Sequence, residues 1–222
     1  MKNLLALIVV NLSFHVMAYD KELAIKSFSQ KVAINPIVVV SDPYDQKPGK
    51  IDHDSVCGIR YLEDRVRYRL QTFASKREAL ESGFIVTHFG VCGSCSTLKD
   101  LAAYLTHKDL TAPVRKCSIK LMKKRRLSCL RKLGLTDSCS KSWQYNASHT
   151  RKKCFGVCVK SWIRNEPYNL PDGSLNPCLA CDERESGPVF KWSAGRTRRN
   201  SGLESAIARP SDQIVEVQHD YY

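Results

Sequence analysis

Ten cysteines carry most of the chemistry this sequence could do, and four of them fall into two C-x-x-C pairs: Cys92-Gly93-Ser94-Cys95 and Cys178-Leu179-Ala180-Cys181. That spacing serves three chemistries. Two thiols separated by two residues can work as a dithiol, one attacking a disulfide as its thiolate and the other resolving the mixed disulfide. Two such pairs make the tetrahedral set of four thiolates that zinc takes. In an oxidising compartment they are ordinary crosslinks.

The compartment decides how to weigh them. The chain opens MKNLLALIVVNLSFHVMA, one lysine and then an apolar stretch with Val16 and Ala18 at small-residue positions. This pattern predicts an export signal over residues 1–18, cut near Ala18–Tyr19. The apolar part, interrupted by Asn11 and His15, is shorter than the roughly 20 residues a spanning helix requires. All the cysteines (Cys57, Cys92, Cys95, Cys117, Cys129, Cys139, Cys154, Cys158, Cys178 and Cys181) follow it, and their number is even. The reading is a secreted protein, extracellular or periplasmic in a bacterium, with five disulfides and neither metal nor cofactor. A zinc site on Cys92, Cys95, Cys178 and Cys181 is disfavoured by the long separation of the pairs and by oxidation. These four, with Cys57 and Cys158, are expected to form three structural bridges.

The segment FIVTHFGVCGSCSTLKDLAAYL, residues 84–105, nevertheless resembles the redox segment of thioredoxin-like proteins: an apolar strand, a short linker, Cys-Gly-x-Cys and a helix. The resemblance covers about twenty residues. It implies Cys92 as the attacking thiol and Cys95 as the resolving one, with Gly93 and Ser94 forming the turn. After Leu110 the β-rich second half of that family does not follow, and Pro113 opens a basic helix instead of a proline loop before a strand. A thiol–disulfide oxidoreductase is therefore the alternative function. His88, in the strand before the pair, is read as a satisfied core or edge residue. No histidine sits in a nucleophile motif; Asp52–His53 are sequence neighbours, and triad members are usually assembled by the fold.

The charge points elsewhere. Residues 111–164 hold fifteen Lys and Arg against one acid, Asp137, a surplus larger than the +13 of the whole chain. A concentrated positive face attracts polyanions. The candidate binding residues are Lys116, Lys120, Lys123, Lys124, Arg125, Arg126, Arg131 and Lys132, and the expected partner is an anionic surface or polymer, either an acidic glycan or lipid head groups. Nucleic acid is the least favoured outside the cell. Trp143, Tyr145, Phe155 and Trp162 stand at spacings that suit helix packing.

The elements that must position these groups follow from pattern. VAINPIVVV (32–40) reads as a strand. Leu62, Val66, Leu70, Phe73 and Leu80 recur at helical spacing and predict an amphipathic helix ending at Gly83. FIVTHF (84–89) reads as a buried strand, and Thr97 with Asp100 as a capping box opening a helix on Leu98, Leu101 and Leu105. From Pro113 to Gly134 and again from Thr136 to Arg164 the spacing predicts two antiparallel helices. Folding the chain at Gly134–Leu135 pairs Cys129 with Cys139 and Cys117 with Cys154. Beyond Arg164 the chain is rich in turn residues.

The expected fold is α+β. A small α/β portion (19–110) precedes a basic, disulfide-stapled helical hairpin (111–164) and an irregular, cystine-anchored C-terminal region (165–222). The expected function is a non-enzymatic binding or structural protein. Two processing signals complete the reading: a glycosylation sequon at Asn146, whose use requires an exposed helix face, and RTRR at 196–199, a furin-type pattern read as a basic loop that is not cut.

Overall fold

A computed structural model of the chain describes residues 19–49 and 54–222. The export signal over 1–18 and the Asp52–His53 pair lie outside those residues. Among the described residues the fold is α+β, with one four-stranded sheet, eight α-helices and five disulfides.

The sheet order is β1-β3-β2-β4. β1 (Val32–Ala33) runs parallel to β3 (Arg67–Phe73), and β2 (Val56–Tyr61) lies antiparallel to both β3 and β4 (Ile85–Phe89). The helix expected through Leu62–Gly83 is largely this hairpin. Tyr68 and Leu70 are buried while Arg67, Arg69 and Gln71 are exposed, a period of two rather than 3.6. Asp64 fixes the turn by accepting from the backbone N–H groups of Val66 and Arg67, with Arg65 at positive φ. Only the end of the predicted stretch is helical, α2 (Lys76–Glu81), capped by Ser75 and followed by Gly83 at φ +73°. The strand expected over 32–40 stops at Ala33. The Asn35 side chain then takes over the ladder, donating to the Leu70 carbonyl and accepting from the Leu70 N–H, and Pro36 has no N–H to offer.

One sheet face, through Cys57, Ile59, Tyr68 and Leu70, shares a buried cluster with Phe28 of α1 (Lys21–Gln30) and with Leu98 and Leu101 of α3 (Leu98–Thr106). The other face, through Val56 and Phe73, meets Ala79 and Phe84. Burying each such large side chain contributes about 1.5–3 kcal/mol. Thr97 caps α3 as expected, accepting from the Asp100 N–H.

The basic stretch forms three helices. α4 (Thr111–Ser118) and α5 (Lys123–Arg131) are separated at Ile119–Met122, where Arg126 donates to the carbonyls of Lys120 and Leu121 that a continuous helix would have bonded internally. α6 (Asp137–Ile163) starts at the Thr136 cap and runs back along α5 after a turn at Gly134, φ +91°. The break in the first helix changes the bridges. Cys117 pairs with Cys129 across the α4–α5 junction, Cα atoms 5.4 Å apart, so the predicted Cys129–Cys139 and Cys117–Cys154 pairs do not form. Cys139 instead faces inward to Cys95, and Cys154 reaches Cys181. The cystine-anchored C-terminal region contains two short helices, α7 (Pro177–Glu185), capped by Asn176, and α8 (Gly187–Ala194).

Candidate functional site

The Cys92–Cys95 segment is the first candidate. Cys92 is bonded to Cys57 on β2, and Cys95 to Cys139 at the start of α6. The two sulfurs thus belong to different bridges, and no cysteine is free among the described residues. α3 begins only at Leu98, after both of them, so no helix N-terminus stabilises a Cys92 thiolate. The redox dithiol inferred from the thioredoxin-like resemblance is thereby corrected. The four cysteines of the two C-x-x-C pairs, Cys92, Cys95, Cys178 and Cys181, lie in four separate disulfides, so none of them is present as a thiolate for zinc.

The segment is a structural junction. Ser94 and Cys95 donate from their backbone N–H groups to the carbonyls of Ser193 and Ala194. A Cβ on Gly93 would come within 2.5 Å of the Ala194 carbonyl carbon, so glycine is required by the close approach of two backbones. Beneath it lies Arg196, with no exposed surface, donating to the carbonyls of Cys95, Thr87 and Ser96 and to the hydroxyls of Thr87 and Ser201. Burial lowers its pKa, while Tyr221, Tyr104 and Asp100 favour its charge. His88 is buried beside it, 2.7 Å from Ser96 Oγ, and burial and the Arg196 charge hold it well below the ordinary imidazole range. This is the satisfied core histidine the sequence predicted. RTRR is a structural element as well: Arg196 is interior and Arg198 donates to the carbonyls of Tyr104, His107 and Glu204.

The basic module divides into structural and available cations. Arg126 is spent on the α4–α5 junction, and Arg131 pairs with Asp137 at 2.9 Å. Lys123 sits over the Tyr145 ring, 5.3 Å from its centroid, tying α5 to α6. Lys116, Lys120, Lys124, Arg125 and Lys132 are exposed and make no ion pair among the described residues. The α4–α5 junction between them is apolar and exposed: Ile119 at 73 % and Leu121 at 95 %. The aromatic residues split as well. Trp143 packs on Phe190, centroids 4.7 Å apart, whereas Phe155 and Trp162 are 64 % and 67 % exposed instead of packed.

Asn146 faces inward. It is 8 % exposed; its Oδ1 accepts from the Tyr44 hydroxyl at 2.7 Å, and its Nδ2 lies 3.5 Å from Asp182 Oδ1. The exposed helix face that use of the sequon requires is therefore not what the fold presents at Asn146. The same cluster holds Thr150, which donates to Asp182, and His149, stacked on Tyr44 with its Nδ1 3.1 Å from Ser186 Oγ. Burial raises the Asp182 pKa, and burial with the Lys153 charge lowers that of His149. Ser186 has no exposed surface, so this constellation bonds α6 to the α7–α8 junction and offers no nucleophile to solvent.

Between α4, α6, α7, α8 and the chain near 205–209 lies a cavity of about 990 Å³. Sequence reasoning missed it, because its wall is assembled from segments up to a hundred residues apart. Val114, Ile119, Phe155, Val159, Trp162 and Leu179 supply much of its apolar lining. The Cys158–Cys178 and Cys154–Cys181 bridges hold α6 to α7 along one side. Glu183 on the wall is gripped by Lys191, Arg199 and Arg209; burial would raise its pKa, and the three cations together outweigh that and lower it.

Fold and site together define a disulfide-rich α+β protein with an exposed basic face and one large, mainly apolar cavity. Five disulfides, with no helix among the described residues long and apolar enough to cross a membrane, are consistent with a secreted or extracellular protein. Residues 123–217, less than half of the chain, are similar to a family of unknown function, DUF8771. That stretch runs from the first residue of α5 and contains six of the ten cysteines. No curated protein and no solved structure matches the chain.

Proposed function

We propose that the protein is a secreted, non-enzymatic binding protein whose α4–α6 face engages an anionic surface or polymer. One observation carries the reading. Lys116, Lys120, Lys124, Arg125 and Lys132 stand exposed and unpaired with acids among the described residues, on helices clamped by the Cys117–Cys129 bridge. Charges held on a rigid scaffold lose less conformational freedom on binding than charges on a loose tail. The attraction is Coulombic and exposed, so salt screens it, with a Debye length near 10 Å at 0.1 M. Retention on immobilised heparin, followed by a salt gradient, tests the reading. Wild type is expected to elute well above physiological salt, and the K124E/R125E/K132E variant near it. Wild type passing through unretained, or the variant eluting with wild type, would overturn the proposal.

A further inference from the structure

We propose that the cavity between α4 and α6 is a binding site for a single-chain amphiphile with an acidic headgroup, a long-chain carboxylic acid, whose headgroup meets Arg115. The proposal does not depend on the basic-face reading. The volume, about 990 Å³, stands at the upper end of the roughly 300–1,000 Å³ typical of small-molecule sites. Its lining is mainly apolar, and two disulfides fix α6 against α7 beside it, so the space is preformed.

The mouth supports the same ligand. Ile119, Phe155 and Trp162 all line the cavity, yet they are 73 %, 64 % and 67 % exposed. Single exposed apolar residues need no explanation, but three around one opening form a patch that a ligand would cover. Ser161, 5 % exposed and on the wall, has an Oγ without a hydrogen-bond partner among the described residues. Such a group gains from any polar atom a ligand brings.

Charge selects an acidic headgroup. Lys108 pairs with Glu204, Arg199 and Arg209 with Glu183, and Arg198 is spent on backbone carbonyls. Arg151 donates to the Ser118 carbonyl. Arg115, one helical turn before Ile119 on α4, is exposed, lines the cavity and makes no ion pair among the described residues. A guanidinium binds a carboxylate through two parallel hydrogen bonds. Of the acids on the wall, Asp109 accepts from the Tyr168 hydroxyl and Asp182 from Thr150, while Glu166 pairs with Arg164 through Oε1 at 3.6 Å and its buried Oε2 has no hydrogen-bond partner among the described residues.

The test is fluorescence titration of the disulfide-intact protein with cis-parinaric acid, followed by displacement with palmitate and, separately, with hexadecan-1-ol. One-to-one saturable binding is expected, with quenching of tryptophan emission because Trp143 and Trp162 line the site. V159W, which fills the cavity, is expected to weaken binding at least tenfold. R115Q, which removes the guanidinium and keeps the apolar lining, should weaken palmitate about tenfold and leave the alcohol unchanged. Absence of saturable binding overturns the proposal, as does V159W binding like wild type. If V159W does not fold, as judged by circular dichroism, A206W, at another lining position, takes its place with the same criterion. An R115Q effect equal for acid and alcohol, or none, overturns the acidic headgroup and with it the ligand class. Heparin retention, measured in parallel on V159W and A206W, which leave the charge unaltered, is expected to match wild type, so the two readings fail separately.

Discussion

Acidification should destabilise this protein through His219, and the size of the effect follows from its surroundings. His219 is 6 % exposed; its Nε2–H donates to the Ser201 carbonyl at 2.8 Å, and its Nδ1 stands 3.0 Å from the Tyr221 hydroxyl. Tyr221 shares a hydrogen bond with Thr87, which in turn accepts from Arg196. Burial, followed by the Arg196 charge, lowers the His219 pKa to about 4, against smaller opposing contributions from the Ser201 carbonyl and Asp220. The fold therefore favours the neutral ring. Its contribution is fully present above the unfolded value near 6.5 and is lost as pH falls from there toward 4. At pH 5 the unfolded ring is almost fully protonated and the folded ring mostly neutral, which amounts to a loss of about 2 kcal/mol relative to pH 7.5. His88 acts in the same direction. Asp100 opposes both: burial raises its pKa to about 6, so the fold gains about 1 kcal/mol as it takes up a proton down to pH 5. The wild-type curve is thus a sum, and the comparison that isolates His219 is with H219Q, whose amide can still donate to Ser201. Urea unfolding of both proteins, disulfides intact, would be followed by tryptophan fluorescence at pH 7.5, 6.5, 5.5 and 5.0. H219Q should lose about 2 kcal/mol less than wild type across that range. A difference below about 0.5 kcal/mol would refute the reasoning.

Three further outcomes are expected. Replacing Cys117 and Cys129 together by serine opens a short loop and should cost about 3 kcal/mol, read as a lower thermal midpoint. Gly93→Ala places a methyl 2.5 Å from backbone that cannot rotate away, and should cost roughly 1–3 kcal/mol in urea unfolding with the Cys95–Cys139 bridge intact. A furin-type protease should leave the folded protein intact at Arg199 and cut it only after reduction and unfolding, because Arg196 is interior; gel analysis of cleavage before and after unfolding checks this.

What could be read along the chain was whatever depends on neighbours. The Thr97 cap, the Ile85–Phe89 strand, the turn at Gly134 and the clustering of cations in 111–164 all come from local side-chain and backbone chemistry. The even set of ten cysteines likewise marked a disulfide framework without any coordinates. Leu62–Leu80 misled because its apolar spacing fits a helix, while the burial that decides between periods comes from α1 and α3, which the local pattern does not contain. Disulfide partners, the inward turn of Asn146, the buried Arg196 and the cavity are all set by contacts between distant segments. Cys92-Gly93-Ser94-Cys95 shows the division most clearly. Its composition admitted a dithiol, but the proximity of Cys57 and Cys139, and of the Ala194 backbone over Gly93, made it a crosslinked junction. Sequence determines which groups can react or bind; the tertiary packing determines which of them meet, and only meeting groups have chemistry.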